Sequence, residues 1–196
     1  MITFTKTPTS TSTSSAREET WVNQIMVKQS LSEFFGPRRL YFVCGKVYQD
    51  MSYANRIVHW FVQHKLPVVP ITPTGGNVDL SIDSITRRAT DQKSLEIYKS
   101  IPEALKCTSY RPVDDISVCF VTPPLVTLSI LKELKANNMP LCSVWFQPGS
   151  WNMDCVNYAE HDLNIKASNV INDCILVNGH TNYKPSELIV SSSPSL

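Results

Sequence analysis

The 196-residue chain has almost no excess of either charge: 18 Lys and Arg stand against 17 Asp and Glu. A general nucleic-acid surface needs a basic excess, so nucleic acid is not an expected partner. No apolar run approaches the ~20 residues of a membrane span, so no membrane partner is expected either. Residues 1–19, MITFTKTPTSTSTSSAREE, hold no apolar segment of the kind a secretory signal needs. They are rich in Ser and Thr and carry no acid before Glu18, a faint likeness to a mitochondrial presequence, but Lys6 and Arg17 are their only basic residues. A disordered tail on a cytoplasmic protein is the expectation. Glycine is also scarce, with six in all, and they form neither Gly-x-Gly-x-x-Gly nor Gly-x-x-x-x-Gly-Lys-Ser/Thr. The first absence speaks against a standard NAD or FAD dehydrogenase and the second against a P-loop nucleotidase. Six cysteines, at 44, 107, 119, 142, 155 and 174, include no Cys-x-x-Cys pair, so neither a zinc nor a dithiol redox site is indicated. Several lie in apolar runs, where a reduced thiol behaves as a small hydrophobe.

What the chain does hold is strand–helix alternation. Residues 1–18 and 183–196 read as disordered tails, and 19–38 as an N-terminal helical extension, its helix placed over Trp21 to Phe35 before Gly36-Pro37. The domain proper is expected at 39–182. Leu40-Tyr-Phe-Val-Cys44 is a short, uniformly apolar run, as in a strand buried on both faces. Ser52 can cap a helix reaching about His64, with Ile57, Trp60 and Phe61 on one face. Pro67 to Ile71 makes the next strand, and a right-handed crossover makes the pair parallel. Thr72 to Asn77 reads as a loop, residues 78–94 as a polar surface insertion, Leu95 to Tyr98 as a short strand and Ile101 to Leu105 as one helical turn. Ile116 to Val121 is a buried strand, Thr122-Pro-Pro124 breaks it, and Leu125 to Lys135 is an amphipathic helix whose leucines recur every third residue. Leu141 to Phe146 is a strand and Asp154 to Leu163 a helix. The last strand falls between Ile165 and Val177, with Val170, Ile171 and the Ile175–Val177 stretch on its path. The whole predicts a single-domain α/β protein with a Rossmann-like, doubly wound parallel sheet.

In such a sheet, ligands bind beyond the carboxyl ends of the strands, where strand order reverses. Four loops qualify: 45–52, 72–77, 122–124 and 147–150. Gly45 can admit a ligand close to the backbone, the helix start at Ser52 offers N–H groups to a phosphate, and Lys46 is a ready cation. Ordinary turn chemistry is the rival reading of each loop. No catalytic constellation is evident. Gly149-Ser-Trp151 lacks a nucleophile elbow, the four histidines show no metal-ligand spacing, and Asp114-Asp115 reads as a turn. His64 reads as a solvated helix-end residue and Cys174 as a packed thiol.

The order of these segments resembles the small CoA-binding proteins of Rossmann-like fold, related to the N-terminal domain of the succinyl-CoA ligase α subunit. The likeness runs from Arg39 to His180. It rests on Ser52-Tyr53 followed by a helix and Val68-Val-Pro-Ile-Thr-Pro73, on Thr72-Pro-Thr-Gly-Gly76, on Tyr98-Lys-Ser-Ile-Pro102, on Val121-Thr-Pro-Pro124, on Trp145-Phe-Gln-Pro-Gly149 and on Cys174. The resemblance implies a CoA site. Gly45, Lys46, Ser52 and Tyr53 would take the pyrophosphate. Thr72, Pro73, Gly75 and Gly76, with Val121, Thr122, Pro123 and Pro124, would line the nucleotide end. Gln147, Pro148 and Gly149 would lie beside the phosphates or the pantetheine arm. The ligase α subunit also needs a second domain with a phosphorylated histidine, which these residues do not include. The expectation is therefore a CoA or acyl-CoA binding protein, more a binder than an enzyme. Two alternatives stay open: an NAD(P)-dependent oxidoreductase on the same fold, and a non-enzymatic regulatory protein whose nucleotide site has decayed.

Overall fold

The structure, a computed structural model, describes residues 34–183 except 84, 87, 92 and 108–113. The expected tail at 1–18, most of the helix at Trp21–Phe35, and the C-terminal tail beyond Tyr183 lie outside the described residues. The elements run β1 (Arg39–Cys44), α1 (Tyr53–Gln63), β2 (Val68–Ile71), β3 (Gly76–Asp79), β4 (Ser94–Ile97), α2 (Ile101–Leu105), β5 (Asp115–Phe120), α3 (Pro124–Ala136), β6 (Leu141–Phe146), α4 (Met153–Asn157), β7 (Val170–Asn172) and α5 (Ile175–Asn182). A π-helical turn, Tyr158–Asp162, extends α4, and a short 3-10 turn, Ala167–Asn169, leads into β7.

Five strands form one sheet in the order β2-β1-β5-β6-β7, and every neighbouring pair is parallel. The chain winds outward from β1 to one edge, then returns and winds to the other. The reversal of direction lies between β1 and β5, and there the crevice of a doubly wound sheet opens. Alternation along the strands splits the core in two. Tyr41, Val43, Cys119 and Trp145 pack with α1 and α5, while Leu40, Phe42, Val118, Phe120, Val144 and Phe146 pack with α2, α3 and α4 on the other face. That is why these strands read as almost wholly apolar runs: both faces are covered. Two strand serines are fully buried because each finds a carbonyl. Ser117 Oγ donates to Phe34 O at 3.0 Å, and Ser143 Oγ to Asn169 O at 2.7 Å.

Four expectations need correction. Residues 78–94 are not a featureless insertion, because β3 and β4 pair as an antiparallel hairpin with Val78 opposite Leu95. Leu80 and Val78 are buried against the α1 face, so apolar residues spaced two apart anchor a segment that reads as polar on average. Beyond the hairpin, Tyr98 continues beside the end of β2, with a parallel bridge to Ile71. Secondly, Ile175–Val177 belong to α5, not to the last strand. The strand stops at Asn172 because Asp173 turns the chain. Its carboxylate accepts Cys174 N at 2.6 Å and holds the Asn178 amide at 2.7 and 2.8 Å. Thirdly, His64 is not a solvated end group. Its ring stacks on Trp60 with centroids 3.9 Å apart, and its Nε2 lies 3.2 Å from His180 Nδ1. The leucine stripe of α3 is also only half buried. Steps of three residues drift by roughly 60° each on a 3.6-residue helix, so Leu131 and Leu134 reach the core while Leu125 is 81% exposed.

Candidate functional site

The first loop is built for close approach. A Cβ on Gly45 would stand 2.9 Å from Ala54 Cβ and 3.1 Å from Val121 Cβ. Only glycine therefore lets the end of β1, the first turn of α1 and the end of β5 converge. Gly45 N donates to Ile71 O at 3.2 Å, which joins the end of β2 to the same point. The rest of the loop folds through short turns, with Val47 N donating to Gly45 O, Gln49 N to Lys46 O and Ser52 N to Gln49 O. Ser52 caps α1 as its position predicts: its Oγ accepts from Asn55 N at 3.1 Å and donates to Lys46 O at 2.8 Å. Helix geometry then leaves the N–H groups of Tyr53 and Ala54 as first-turn donors at the positive end of the α1 dipole.

Those groups open on a cavity of about 580 Å³, inside the range of roughly 300–1,000 Å³ usual for ligand pockets. Gly45, Lys46, Ser52 and Tyr53 line one side, Thr72 and Pro73 the end of β2, and Val121, Thr122 and Pro123 the end of β5. Nine of the fifteen residues singled out from sequence are thus brought together. The other six are not. Gly75 and Gly76 adopt positive φ of 64° and 111° and make the turn into β3, closed by Gly75 N donating to Thr72 O at 3.0 Å. Pro124 is the first residue of α3. Gln147 points into the protein instead: it is 1% exposed, donates through Nε2 to Cys119 Sγ at 3.3 Å and accepts Ile175 N at 3.2 Å. It pins α5 to the sheet. Pro148 and Gly149 follow it away from the cavity. Gly149 has φ of 84°, and a Cβ there would meet nothing within 4 Å.

Sequence reasoning missed the remaining wall. Val126, Ser129, Ile130 and Glu133 of α3, and Lys99, Ser100 and Ile101 at the start of α2, also line the cavity. Val126, Ile130 and Glu133 lie at helical spacing, a second stripe hidden in the sequence behind the leucines. Lys99 arrives because β4 runs on beside β2: Thr72 N donates to Tyr98 O at 3.0 Å and Tyr98 N to Pro70 O at 3.1 Å. Thr127 shares a 2.8 Å hydrogen bond with Thr122 through their hydroxyls, fixing the 122–124 turn where Pro123 offers α3 no side-chain cap.

The charges in the lining are two cations, Lys46 and Lys99, and one anion, Glu133. The hydrocarbon of Ile71, Ile101, Val121, Val126 and Ile130 supplies an apolar floor. Cys44 lies in this floor, and burial raises its thiol pKa well above the usual range, so it stays neutral. Tyr53 is half exposed and shares a 3.0 Å hydrogen bond with Cys174 Sγ. That bond, with burial behind it, raises the pKa of the phenol. A cradle that a Cβ would fill, an N-terminal helix turn and two lysines suit a phosphate-bearing ligand with a flat or apolar moiety.

Comparison with known proteins gives the same direction. No curated protein matches the chain. Among solved structures, Prb, a protein redesigned for binding, is 13% identical, with a TM-score of 0.51 over 81% of this chain and 92% of its own; this shows a shared fold. A conserved hypothetical protein from Pyrococcus furiosus is 23% identical, with a TM-score of 0.48 over 74% of this chain and 99% of its own. A hypothetical protein from Pyrococcus horikoshii OT3 is 13% identical, with a TM-score of 0.48 over 79% and 88%. The profile of the CoA binding domain family matches residues 39–180, from the start of β1 into α5. The chain belongs to the CoA-binding domain family.

Proposed function

We propose that this chain binds CoA or an acyl-CoA in the cavity at the β1/β5 reversal, and acts as a binding protein rather than as an enzyme. The observation that carries the reading is Gly45, where three element ends meet so closely that a methyl group does not fit, directly beside the N-terminus of α1. In this reading the pyrophosphate lies against the Tyr53 and Ala54 N–H groups, with Lys46 and Lys99 as counter-charges. The nucleotide end rests on Thr72, Pro73 and the Val121–Pro123 turn, over the apolar floor. In this reading Gln147 ties α5 to the sheet, and it stands apart from the ligand with Pro148 and Gly149.

The titratable groups of the lining are Lys46, Tyr53, Lys99, Glu133 and the neutral thiol of Cys44. They include no base within reach of an activated nucleophile, the arrangement that covalent or acid–base catalysis requires. The oxidoreductase alternative is disfavoured at β2. A dinucleotide site usually holds the ribose through an acid after the second strand, and Thr72, 7% exposed, occupies that place. A thermal-shift panel of CoA, acetyl-CoA, NADH, NADPH and ATP tests the reading. At a hundredfold excess over Kd, a native-state ligand adds about 2.7 kcal/mol, which raises Tm by roughly 5–10 °C in a chain of this size. CoA or acetyl-CoA should do so. A rise with NADPH and none with CoA overturns the proposal.

A further inference from the structure

The two lysines of the main cavity enter it from different places. Lys46 follows β1 in the first loop, beside the N-terminus of α1, where its carbonyl accepts from Ser52 Oγ at 2.8 Å. Lys99 comes from the chain beyond β2. There Tyr98 forms a parallel bridge with Ile71, and its backbone is fixed on both sides, with Tyr98 N donating to Pro70 O at 3.1 Å and Thr72 N to Tyr98 O at 3.0 Å. Lys99 N is tied in turn to Glu103 Oε2 at 2.9 Å. Across the sheet the order is therefore the Tyr98–Lys99 segment, β2, then β1. Neighbouring strands lie about 4.8 Å apart, so the two lysines leave the sheet edge from points roughly 10 Å apart.

The stem of Lys99 lies against the turn that closes β2. A Cβ on Gly75 would meet its Cε at 3.8 Å and its Cγ at 3.9 Å, ordinary contact distances. The acids nearest in sequence are engaged by other donors. Glu103 accepts the Lys99 N–H at the start of α2, and Glu96 Oε2 accepts from the Tyr98 hydroxyl at 3.0 Å. Glu133, the one acid of the cavity lining, belongs to the α3 wall. Among the described residues, Lys99 forms no ion pair.

The end of the second strand is where a Rossmann-like sheet reads the ribose of a nucleotide. An acid there accepts from free ribose hydroxyls, and a cation there accommodates a phosphate carried on the ribose. This chain has Thr72 at the strand end and Lys99 beside it, an environment for a phosphorylated ribose. The ribose of CoA carries a phosphomonoester on its 3′ oxygen. At neutral pH such a group holds close to two negative charges, and a lysine ammonium meets it as a point charge with three donors.

We propose that Lys99 binds the ribose 3′-phosphate of CoA, while Lys46 and the N-terminus of α1 keep the pyrophosphate, so that Lys99 sets a preference for CoA over dephospho-CoA. This rests on the CoA reading above and divides the phosphates of that ligand between the two lysines.

The test is calorimetric titration of CoA and of dephospho-CoA into the full chain and its Lys46→Ala, Lys99→Ala and Lys99→Arg variants at low salt. Both lysines are exposed, so the variants should fold. The parent should bind CoA roughly fivefold or more tighter than dephospho-CoA. Lys99→Ala should bring that ratio close to one, and Lys99→Arg should keep it, because the guanidinium retains the charge. Lys46→Ala should weaken both ligands by similar factors and preserve the ratio. Adenosine 3′,5′-bisphosphate should bind tighter than its 2′,5′ isomer. The proposal is overturned if the parent binds CoA and dephospho-CoA equally, if Lys99→Ala keeps the parent's ratio, if Lys46→Ala abolishes it, or if the 2′,5′ isomer binds tighter. If neither CoA nor dephospho-CoA binds the parent, the CoA reading itself fails and this assignment falls with it.

Discussion

Replacing Gly45 with alanine adds one methyl group at the point where three element ends meet. The added carbon would lie 2.9 Å from Ala54 Cβ and 3.1 Å from Val121 Cβ. Carbon atoms in contact prefer about 3.5–4.0 Å, so the overlap is roughly half an ångström to one ångström against two neighbours. Neither neighbour is the tip of a flexible side chain. Ala54 is 2% exposed in the first turn of α1, and Val121 N is held by Cys44 O at 2.9 Å at the end of β5. Relief requires α1 to move away from the sheet. Overpacking of this kind costs about 1–3 kcal/mol, a fall in Tm of roughly 2–12 °C for a chain of this length. Because the same movement displaces the Tyr53 and Ala54 N–H groups, CoA affinity should fall tenfold or more, equivalent to about 1.4 kcal/mol. Urea denaturation gives the stability term, and calorimetry on folded protein gives the binding term. The double variant Gly45→Ala, Ala54→Gly removes one of the two clashes, so the two changes should couple favourably by at least about 0.5 kcal/mol. If Gly45→Ala melts within about 1 °C of the parent, less than the smallest shift expected for overpacking, and shows no coupling to Ala54, the close convergence is not what holds the site together.

Other outcomes follow from the same geometry. Lys46→Ala and Lys99→Ala should each weaken CoA binding severalfold, and the loss should shrink as salt rises from 50 to 500 mM, because screening already removes part of the attraction (the Debye length is about 10 Å at 0.1 M). Gly149→Val should reduce stability by about 1–2 kcal/mol through its positive φ while leaving CoA affinity within about twofold, well under the 1.4 kcal/mol of a tenfold change. A tenfold loss measured on folded protein would put the β6 turn back at the ligand. Stability should decline with acid in two steps. Burial lowers the pKa of His59 and of His64 below the ordinary 6.5, so the folded state stays neutral where the unfolded chain takes up protons. The native state is then disfavoured progressively as pH drops below about 6.5. For His64 burial is the leading cause, the approach of His180 adds to it, and the bond to Trp60 O acts the other way. The His64 Nδ1 bonds Trp60 O at 2.6 Å and its Nε2 pairs with His180 Nδ1, whose other nitrogen accepts Trp60 Nε1 at 3.2 Å. A second proton on His64 would set N–H against N–H. The further step lies below about pH 4. Burial raises the Asp83 pKa, but hydrogen bonds from Thr86, Gln63 and Ile85 outweigh it and hold the carboxylate below its usual range. Denaturant midpoints at pH 8, 6, 5 and 3.5 would check both windows, and a flat profile between pH 8 and 5 would contradict the buried histidines.

The sheet was legible because its strands obey one rule. Leu40–Cys44, Ile116–Val121 and Leu141–Phe146 are apolar on both faces of the pleat apart from the buried Ser117 and Ser143, as a sheet covered on both faces requires. Ser52 announced α1 because a side-chain oxygen there has a definite N–H to accept. The hairpin was hidden, since its buried apolar anchors, Val78, Leu80 and Ile97, are scattered among many polar residues, and β3 spans four residues. Ile175–Val177 reads as strand by β-branching alone; the tertiary contact of Gly179 with Trp60, where a Cβ would fall 2.7 Å from Cζ2, favours a helix laid close on α1. The first loop and the ends of β2 and β5 could be placed at the site from topology. The wall from α3 could not, since Glu133 and Ser129 look like any polar helix positions until the sheet order brings that face to the crevice. The loop after β6 shows the converse: a Gln-Pro-Gly turn at the correct edge whose leading side chain is spent inside the protein.

Calorimetric titration of CoA into the full chain, in parallel with the Lys46→Ala, Lys99→Ala double variant, tests the central claim most directly. The account predicts a single saturable site for the parent, no detectable binding of NADPH under the same conditions, and at least a tenfold loss in the double variant at low salt. NADPH binding without CoA binding, or CoA bound equally well by parent and double variant, would contradict it.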